Sequence, residues 1–396
     1  MDEVVLEAKN EPPRRLEVIL KVSEVCNIAC SYCYYYFSGD DRPLERPIHI
    51  QRSTISALID KLNEAFDSGI VSSVQIDLHG GEPLMIGVDR FVEVLSTLSQ
   101  QLHLPVRFCI TTNGMLINER WIGAFEKFDV SVCLSIDGPP DVHDLFRKDK
   151  LRRPTHQRVM SGLELLNDAA ANGRILPPSC LCVVTPSADG GIVYRYLAHE
   201  LGISSFDFLM PDVTHDSAVR TEIDAVTTFM EKAFLEWLAD DNPSINVRIF
   251  KSVLSLLVTG RSYLAGFGGG LPFAITVGSD GAVDGDDFLK PCGIVEIATN
   301  LNIRTSSIEQ ITSCDKIKMC ARELSDVPDD CKPCEFAAVC KGGQATHRFS
   351  AAARFNNASV YCAVQKSLFS AGARHLIMTG VSTDHLSRTL LPNFDM

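Results

Sequence analysis

The sequence predicts an α/β protein: an open, partial TIM-like (β/α)6 barrel followed by a cysteine-rich C-terminal extension. Three observations predict it. Short apolar runs alternate with longer amphipathic stretches through the first two-thirds of the chain, the pattern of βα units around a parallel sheet. Three cysteines crowd the end of the first apolar run, and a second cysteine set gathers after residue 330. Strands are expected at 16–22, 74–78, 106–111, 130–136, 180–184 and 205–208. Helices of period near 3.6 are expected at 53–67, 90–102, 119–125, 157–171, 192–201 and 221–239. Ser53 and Asn118 are suitable N-caps, and Gly173 and Gly202 suitable stops. Six units are too few to close an eight-stranded barrel but enough for three-quarters of one. Beyond residue 240 the pattern changes. A helix at 249–258 leads to a glycine-rich stretch from Gly266 to Gly270. A hairpin of 273–277 and 282–283 turns about Ser279-Asp280-Gly281, and a closing helix spans 359–373. The expected division is 1–15 as an N-terminal extension, 16–240 as the barrel, 241–270 as linker, and 271–396 as the cysteine-rich domain.

Composition narrows the function classes. The 396 residues are 45% hydrophobic and 22% charged, with 37 Lys+Arg against 50 Asp+Glu and a net charge of −13. That acidic excess argues against a phosphate-tracking nucleic-acid surface. No apolar run approaches the roughly 18–20 residues of a membrane span, and the acidic start lacks the order of a signal peptide. The expectation is a cytoplasmic protein with neither nucleic acid nor membrane as partner. In a reducing cytosol its 14 cysteines are metal ligands, catalysts or buried fillers rather than disulfides. Cys109, Cys133, Cys180 and Cys182 lie in strand-like runs and read as core fillers. Cys292, Cys314 and Cys320 stay ambiguous.

In sheets of this kind chemistry gathers at the carboxyl ends of the strands, and the conspicuous motifs follow strands directly. Cys26, Cys30 and Cys33, spaced Cys-x3-Cys-x2-Cys, can wrap one face of an iron–sulfur cubane and leave one iron open. A closed zinc site would ask for a fourth protein ligand. His79-Gly80-Gly81-Glu82-Pro83 ends the second strand, Thr112-Asn113-Gly114 the third, and Ser135-Ile136-Asp137-Gly138-Pro139 the fourth.

Val25-Cys26-Asn27-Ile28-Ala29-Cys30-Ser31-Tyr32-Cys33 resembles the signature of the radical S-adenosylmethionine (radical SAM) enzymes, and the later motifs fall in that family's order. The resemblance implies a [4Fe–4S] cluster on Cys26, Cys30 and Cys33 whose open iron binds SAM and cleaves it to a 5′-deoxyadenosyl radical. It implies Tyr32 against the adenine and Gly80-Gly81-Glu82 at the methionyl ammonium, the glycines for close backbone approach and the carboxylate or a carbonyl as acceptor. Ser135 and Arg147 would hold the SAM carboxylate, which a guanidinium fork fits bidentately. His79 is a cofactor contact or a strand-end histidine. Asn113 lies near the ribose or belongs to a plain turn.

Cys331, Cys334, Cys340 and Cys362, with the run Cys340-Lys341-Gly342-Gly343, resemble the SPASM extension of radical SAM maturases. The resemblance implies a second, auxiliary [4Fe–4S] cluster with four thiolates, closed to SAM; structural zinc is the competing reading. Gln344 and the Asp284-Gly285-Asp286 hairpin stand where fuller relatives carry further cysteines. The run His347-Arg348-Phe349 and Phe355-Asn356-Asn357-Ala358-Ser359-Val360-Tyr361-Cys362 is similar to the cyclophane-forming maturases of ribosomally made peptides. The implied activity joins an aromatic ring to a β-carbon in a precursor peptide, with Asp286 as the acid–base group. The alternatives are thioether formation, epimerisation, or Ser/Cys oxidation as in sulfatase-maturing enzymes. A non-catalytic iron–sulfur or zinc scaffold is the reading from another class. Implied partners are the precursor peptide and an electron donor such as flavodoxin or ferredoxin; with no room expected for a leader-binding domain, the leader is read by the existing surface or by a separate leader-binding protein.

Overall fold

A computed structural model describes residues 14–264, 267–268, 273–293 and 297–391. Most of the expected N-terminal extension, and Gly266, Gly269 and Gly270 of the glycine-rich stretch, lie outside the described residues. Six long strands appear in the expected order: β1 Arg14–Ser23, β2 Val71–Gly80, β3 Val106–Thr112, β4 Ser131–Ser135, β5 Ser179–Val183 and β6 Ser205–Leu209. A two-residue strand, β7 Asn246–Val247, follows β6. Each strand pairs in parallel with its successor.

The alternation of side chains divides each strand into two faces. Leu16, Val18 and Leu20 of β1, and Val74, Ile76 and Leu78 of β2, are buried in the core shared with the surrounding helices. Glu17 and Lys21, with Asp77 and His79, alternate with them and occupy the opposite, lumen face. Of the four strand cysteines, Cys180 and Cys182 are fully buried, whereas Cys109 and Cys133 are half-buried. The filler reading therefore fits the first pair better than the second.

The helices Arg52–Asp67, Val88–Gln101, Glu119–Phe128, His156–Ala171 and Arg220–Asp240 match the amphipathic stretches. Asn118 caps its helix, accepting from Arg120 N and Trp121 N. Ser53 does not: the first helix starts at Arg52 behind Gln51. The segment expected as one helix at 192–201 starts at Gly190 and relaxes into a π-turn over Tyr196–Glu200.

The C-terminal hairpin, β8 Ala274–Val277 and β9 Ala282–Asp284, joins the barrel sheet. β8 pairs in parallel with β1, while β9 and β10 (Ala298–Asn302) run antiparallel at that edge. The segment after β9 is thereby brought beside the mouth end of β1. Arg42 fixes it there, bonding both Asp40 and Asp284 at 2.9 Å. The closing helix is longer and later than expected, Cys362–Met378, and a further helix, Thr383–Leu390, follows it. Among the described residues no helix is long and apolar enough to cross a membrane.

Candidate functional site

The first cysteine loop leaves β1 at its carboxyl end and is held from three sides. Backbone bonds tie Ala29 N to Lys148 O (2.8 Å) and Ser31 N to Phe146 O (3.3 Å). Gly81 N donates to Ser23 O and Glu82 N to Val25 O, both at 2.9 Å. The glycines have a packing role that the sequence did not suggest. A Cβ on Gly80 would stand 1.9 Å from Ser23 O, and one on Gly81 2.0 Å from the Tyr36 hydroxyl and 2.7 Å from Val25 O. The close approach they permit is to the root of the cysteine loop rather than to open space. Gly80, at φ +142°, also takes a conformation that L side chains rarely adopt.

Glu82 is a buried clamp. Its carboxylate accepts from Leu84 N (3.0 Å), Thr112 Oγ1 (2.6 Å) and Asn113 N (2.8 Å), tying the end of β2 to that of β3. Burial raises its pKa and those three donors oppose the rise. Three donors take up most of the carboxylate's acceptor sites. Asn113 donates through Nδ2 to Asn27 Oδ1 at 2.7 Å, with Cys26 Sγ 3.9 Å away. The Thr-Asn-Gly turn thus braces the cysteine loop directly.

On the other side Arg147 is buried. Its Nε donates to Asp137 Oδ2 at 2.9 Å, and Nη1 lies 4.0 Å from Cys30 Sγ. The Tyr32 hydroxyl donates to the same Asp137 oxygen at 2.5 Å, and the Arg147 guanidinium sits 5.5 Å from the Tyr32 ring centre. Asp137, quoted in the sequence motif without a role, is the hub that orients both. Ser135 ends β4 half-buried, two residues before that hub.

A charged set missed by the sequence reading lies beside this loop. Lys21 donates to Asp287 Oδ2 at 2.6 Å, the Tyr34 hydroxyl bonds the same oxygen at 2.6 Å, and Lys21 Nζ is 3.1 Å from His79 Nδ1. Burial opposes ionisation of Asp287, but Lys21 and Tyr34 hold its carboxyl well below the usual range. Burial and the Lys21 charge push His79 down to about 3, so its ring is neutral and accepts from the lysine. The available signal was Lys21 itself, a lone cation inside an apolar strand. Asp286, the expected acid–base group, sits one residue from this set. It caps a short 3₁₀ turn by accepting from Phe288 N at 3.3 Å. Enclosure by the barrel walls, then Asp287 and Asp77, push it up to about 7, although it is only half-buried.

The second cysteine set comes from three separate pieces. Cys331 ends the 3₁₀ turn Asp329–Cys331, and Cys334 N donates to Cys331 O at 3.0 Å. Cys340 ends the short helix Ala337–Cys340, and Cys362 opens the helix Cys362–Met378. The four lie close enough to perturb one another: burial first, then Cys362, Cys331 and Cys334, push Cys340 up to about 12. Cys292 and Cys320 instead pack in a small apolar cluster with Leu289, Leu324 and Phe355, and Cys314 stands half-buried before the helix Asp315–Ser325.

Both sets fit iron–sulfur clusters. Burial pushes Cys26 up to about 12 and Cys30 to about 11, so these thiols ionise only with a strong cationic partner such as bound iron. A buried amide nitrogen without a partner stands beside each set, Asn27 Nδ2 and Gln365 Nε2. Among the described residues no three His, Cys, Asp or Glu side chains are gathered closely enough to hold a metal ion directly.

Comparison with known proteins agrees with this arrangement. Residues 20–176 match the model of the Radical SAM superfamily. A cysteine-type anaerobic sulfatase-maturating enzyme of Clostridium perfringens (strain 13 / Type A) is 27% identical, over 90% of this chain and 96% of the relative. A serine-type anaerobic sulfatase-maturating enzyme of Bacteroides thetaiotaomicron is 25% identical, over 85% of this chain and 84% of the relative. The solved structure of native anSMEcpe with bound AdoMet and Cp18Cys peptide shares the fold. Its TM-score is 0.78 over 92% of this chain and 98% of that one, at 24% identity. The superfamily match spans the cysteine loop and every strand end that braces it, so residues 20–176 of the chain are similar to the Radical SAM superfamily.

Proposed function

We propose that the enzyme modifies a peptide or protein by abstracting hydrogen from a side-chain β-carbon and oxidising that carbon, with a Cys or Ser side chain as target. The carrying observation is the braced Cys26/Cys30/Cys33 loop beside the Lys21–Asp287–Tyr34 set, in a chain similar over nine-tenths of its length to sulfatase-maturating enzymes. Cys26, Cys30 and Cys33 would hold a [4Fe–4S] cluster with SAM on its open iron; Cys331, Cys334, Cys340 and Cys362 would hold an auxiliary one. When bound, the first cluster and SAM supply the 5′-deoxyadenosyl radical.

The protein's own groups do the rest. Arg147, oriented by Asp137, offers its remaining guanidinium N–H groups to a carboxylate; Tyr32 and Ser135 flank the same place. Oxidising a Ser CH2OH to an aldehyde removes two hydrogens, one as the abstracted atom and one as a proton plus an electron, which the auxiliary cluster would accept. A Cys CH2SH would lose the same two hydrogens to give a thioaldehyde, which water converts to the aldehyde with release of hydrogen sulfide. Asp286, pushed up to about 7, can take that proton near neutral pH. Asp287 stays ionised and keeps Lys21 and Tyr34 in place.

The comparisons shift the weight from the aromatic crosslink expected above to side-chain oxidation. The crosslink remains as a second reading on one observation: Gly285 and Gln344 stand where fuller auxiliary-cluster proteins are expected to carry cysteines. Anaerobic turnover of two peptides separates them, one with Cys or Ser and one with an aromatic residue beside a β-CH2. The proposal expects an aldehyde, captured by a hydrazine probe, on the first. A crosslinked second peptide, with no aldehyde on the first, would replace the proposal by the second reading.

A further inference from the structure

We propose that Gln365 is the hydrogen-bond donor that sets the reduction potential of the C-terminal iron–sulfur centre, acting through Cys340. The inference rests on Cys331, Cys334, Cys340 and Cys362 being that centre's ligands. Gln365 stands one helical turn after Cys362, so both project from the same face of the helix Cys362–Met378. It is 3% exposed. Its Oε1 accepts from Cys340 Sγ at 3.2 Å, while its buried Nε2 has no partner.

That arrangement suits a thiol and fails for a ligand. A ligating cysteine has released its proton to solvent, so its sulfur can only accept, and Oε1 would then face a second acceptor. Half a turn about the terminal amide torsion exchanges O and N at nearly constant shape. It aims an N–H at the Cys340 sulfur and gives the orphaned nitrogen its partner. Leaving that donor unmade in the interior carries the full desolvation penalty of the group, which favours the turn. Gly343 leaves the room for this amide, since a Cβ there would stand 2.1 Å from Nε2. Asn27, the corresponding amide at the barrel cysteines, cannot turn: its Oδ1 is held by Asn113 Nδ2 at 2.7 Å.

A buried cation reinforces the effect. Arg348, 2% exposed, bonds among the described residues to the backbone carbonyls of Phe355, Leu324, Lys341, Glu323 and Asp326. Its charge acts on Cys331 and Cys340. Hydrogen bonds to sulfur and nearby positive charge both favour a cluster's reduced, more negative state. The two residues therefore make this centre an easier electron acceptor than the same four thiolates alone would be.

The test is a redox titration of full-length enzyme reconstituted anaerobically with iron and sulfide. The centre to follow is the EPR signal that disappears in Cys331→Ala. In Gln365→Leu, with iron content unchanged, the midpoint should fall. At the wild-type midpoint the reduced-to-oxidised ratio should drop about tenfold, or about 59 mV for one electron. Gln365→Met keeps the side-chain length without the donor and should do the same. An unchanged midpoint at full iron content in either variant would overturn the proposal. Loss of the cluster from both variants would also overturn it, making Gln365 a support rather than a tuner. If no signal disappears in Cys331→Ala, the ligand assignment itself is wrong, and that is seen before any Gln365 variant is made.

Discussion

The two cysteine sets are built on opposite plans. The barrel set takes three cysteines from eight consecutive residues and braces the loop with groups from strand ends β2, β3 and β4. The C-terminal set takes four cysteines from three pieces, held by local bonds such as Ser359 N to Gly342 O at 3.1 Å and by the Arg348 guanidinium rather than by a sheet. Beside the first stand ionisable groups that can meet a substrate, namely Arg147, Asp286, Asp287 and Lys21. Beside the second stand groups that can only act on the centre itself, Gln365 and Arg348. A short loop on a rigid sheet leaves one coordination position for chemistry; a four-ligand knot closes the centre and suits it to electron transfer.

Removing Cys331 or Cys334 breaks the comparison hardest. Product should disappear entirely while some cleavage of SAM to 5′-deoxyadenosine survives, read by chromatography of one reaction. Circular dichroism and iron content must first show the barrel folded. Product at the wild-type rate in a folded variant would deny the second centre an obligatory role. Next in size is Asp287→Asn, which leaves Lys21 charged and uncompensated in a buried position. Breaking such a pair costs about 3–5 kcal/mol, visible as a large fall in Tm. A loss below about 1 kcal/mol would mean the set is not the buried ion pair described.

Much of the first site was legible because its residues are close in sequence or end successive strands. Cys26, Cys30, Cys33, Glu82 and Asn113 all follow apolar runs whose period fixes where each strand stops, and Arg147 stands twelve residues past the end of the fourth. What the glycines and Glu82 do was not legible. Their partners, Ser23, Val25, Thr112 and Asn113, meet them only through sheet register. Lys21 and Asp287 are 266 residues apart, and they are joined because β8 pairs with β1, a pairing no local pattern encodes. Gln365 escaped notice for a similar reason: a glutamine in an amphipathic helix carries no signal until Cys340 is folded against it.

Two smaller effects sharpen the comparison. Arg147→Ala should weaken SAM binding roughly ten- to hundredfold, the value of a charge-assisted contact of about 1.5–3 kcal/mol, with cluster content unchanged. Equilibrium binding under anaerobic conditions reads it directly, and unaltered affinity would remove Arg147 from the cofactor pocket. The smallest effect is a pH dependence at Asp286. Its folded pKa of about 7 lies above the unfolded carboxylate value, so the folded state binds its proton more tightly. The group therefore costs nothing below about pH 4, and its cost grows up to about pH 7 and then levels off. Asp286→Asn should raise Tm at pH 8 and not at pH 4. Because water reaches this half-buried side chain, the gain should be on the order of 1 kcal/mol. An equal effect at both pH values would show that only the cap on Phe288 is being perturbed.

That the two sets are separate centres, one generating the radical and one not, is tested most directly by iron, sulfide and SAM cleavage in one preparation. Wild-type enzyme reconstituted anaerobically should hold two [4Fe–4S] clusters, about eight irons per chain, and cleave SAM when reduced. Cys26/Cys30/Cys33→Ala should keep about four irons and cleave none. Residual SAM cleavage in that variant, or stoichiometric zinc in place of iron in the natively purified protein, would contradict the division of labour.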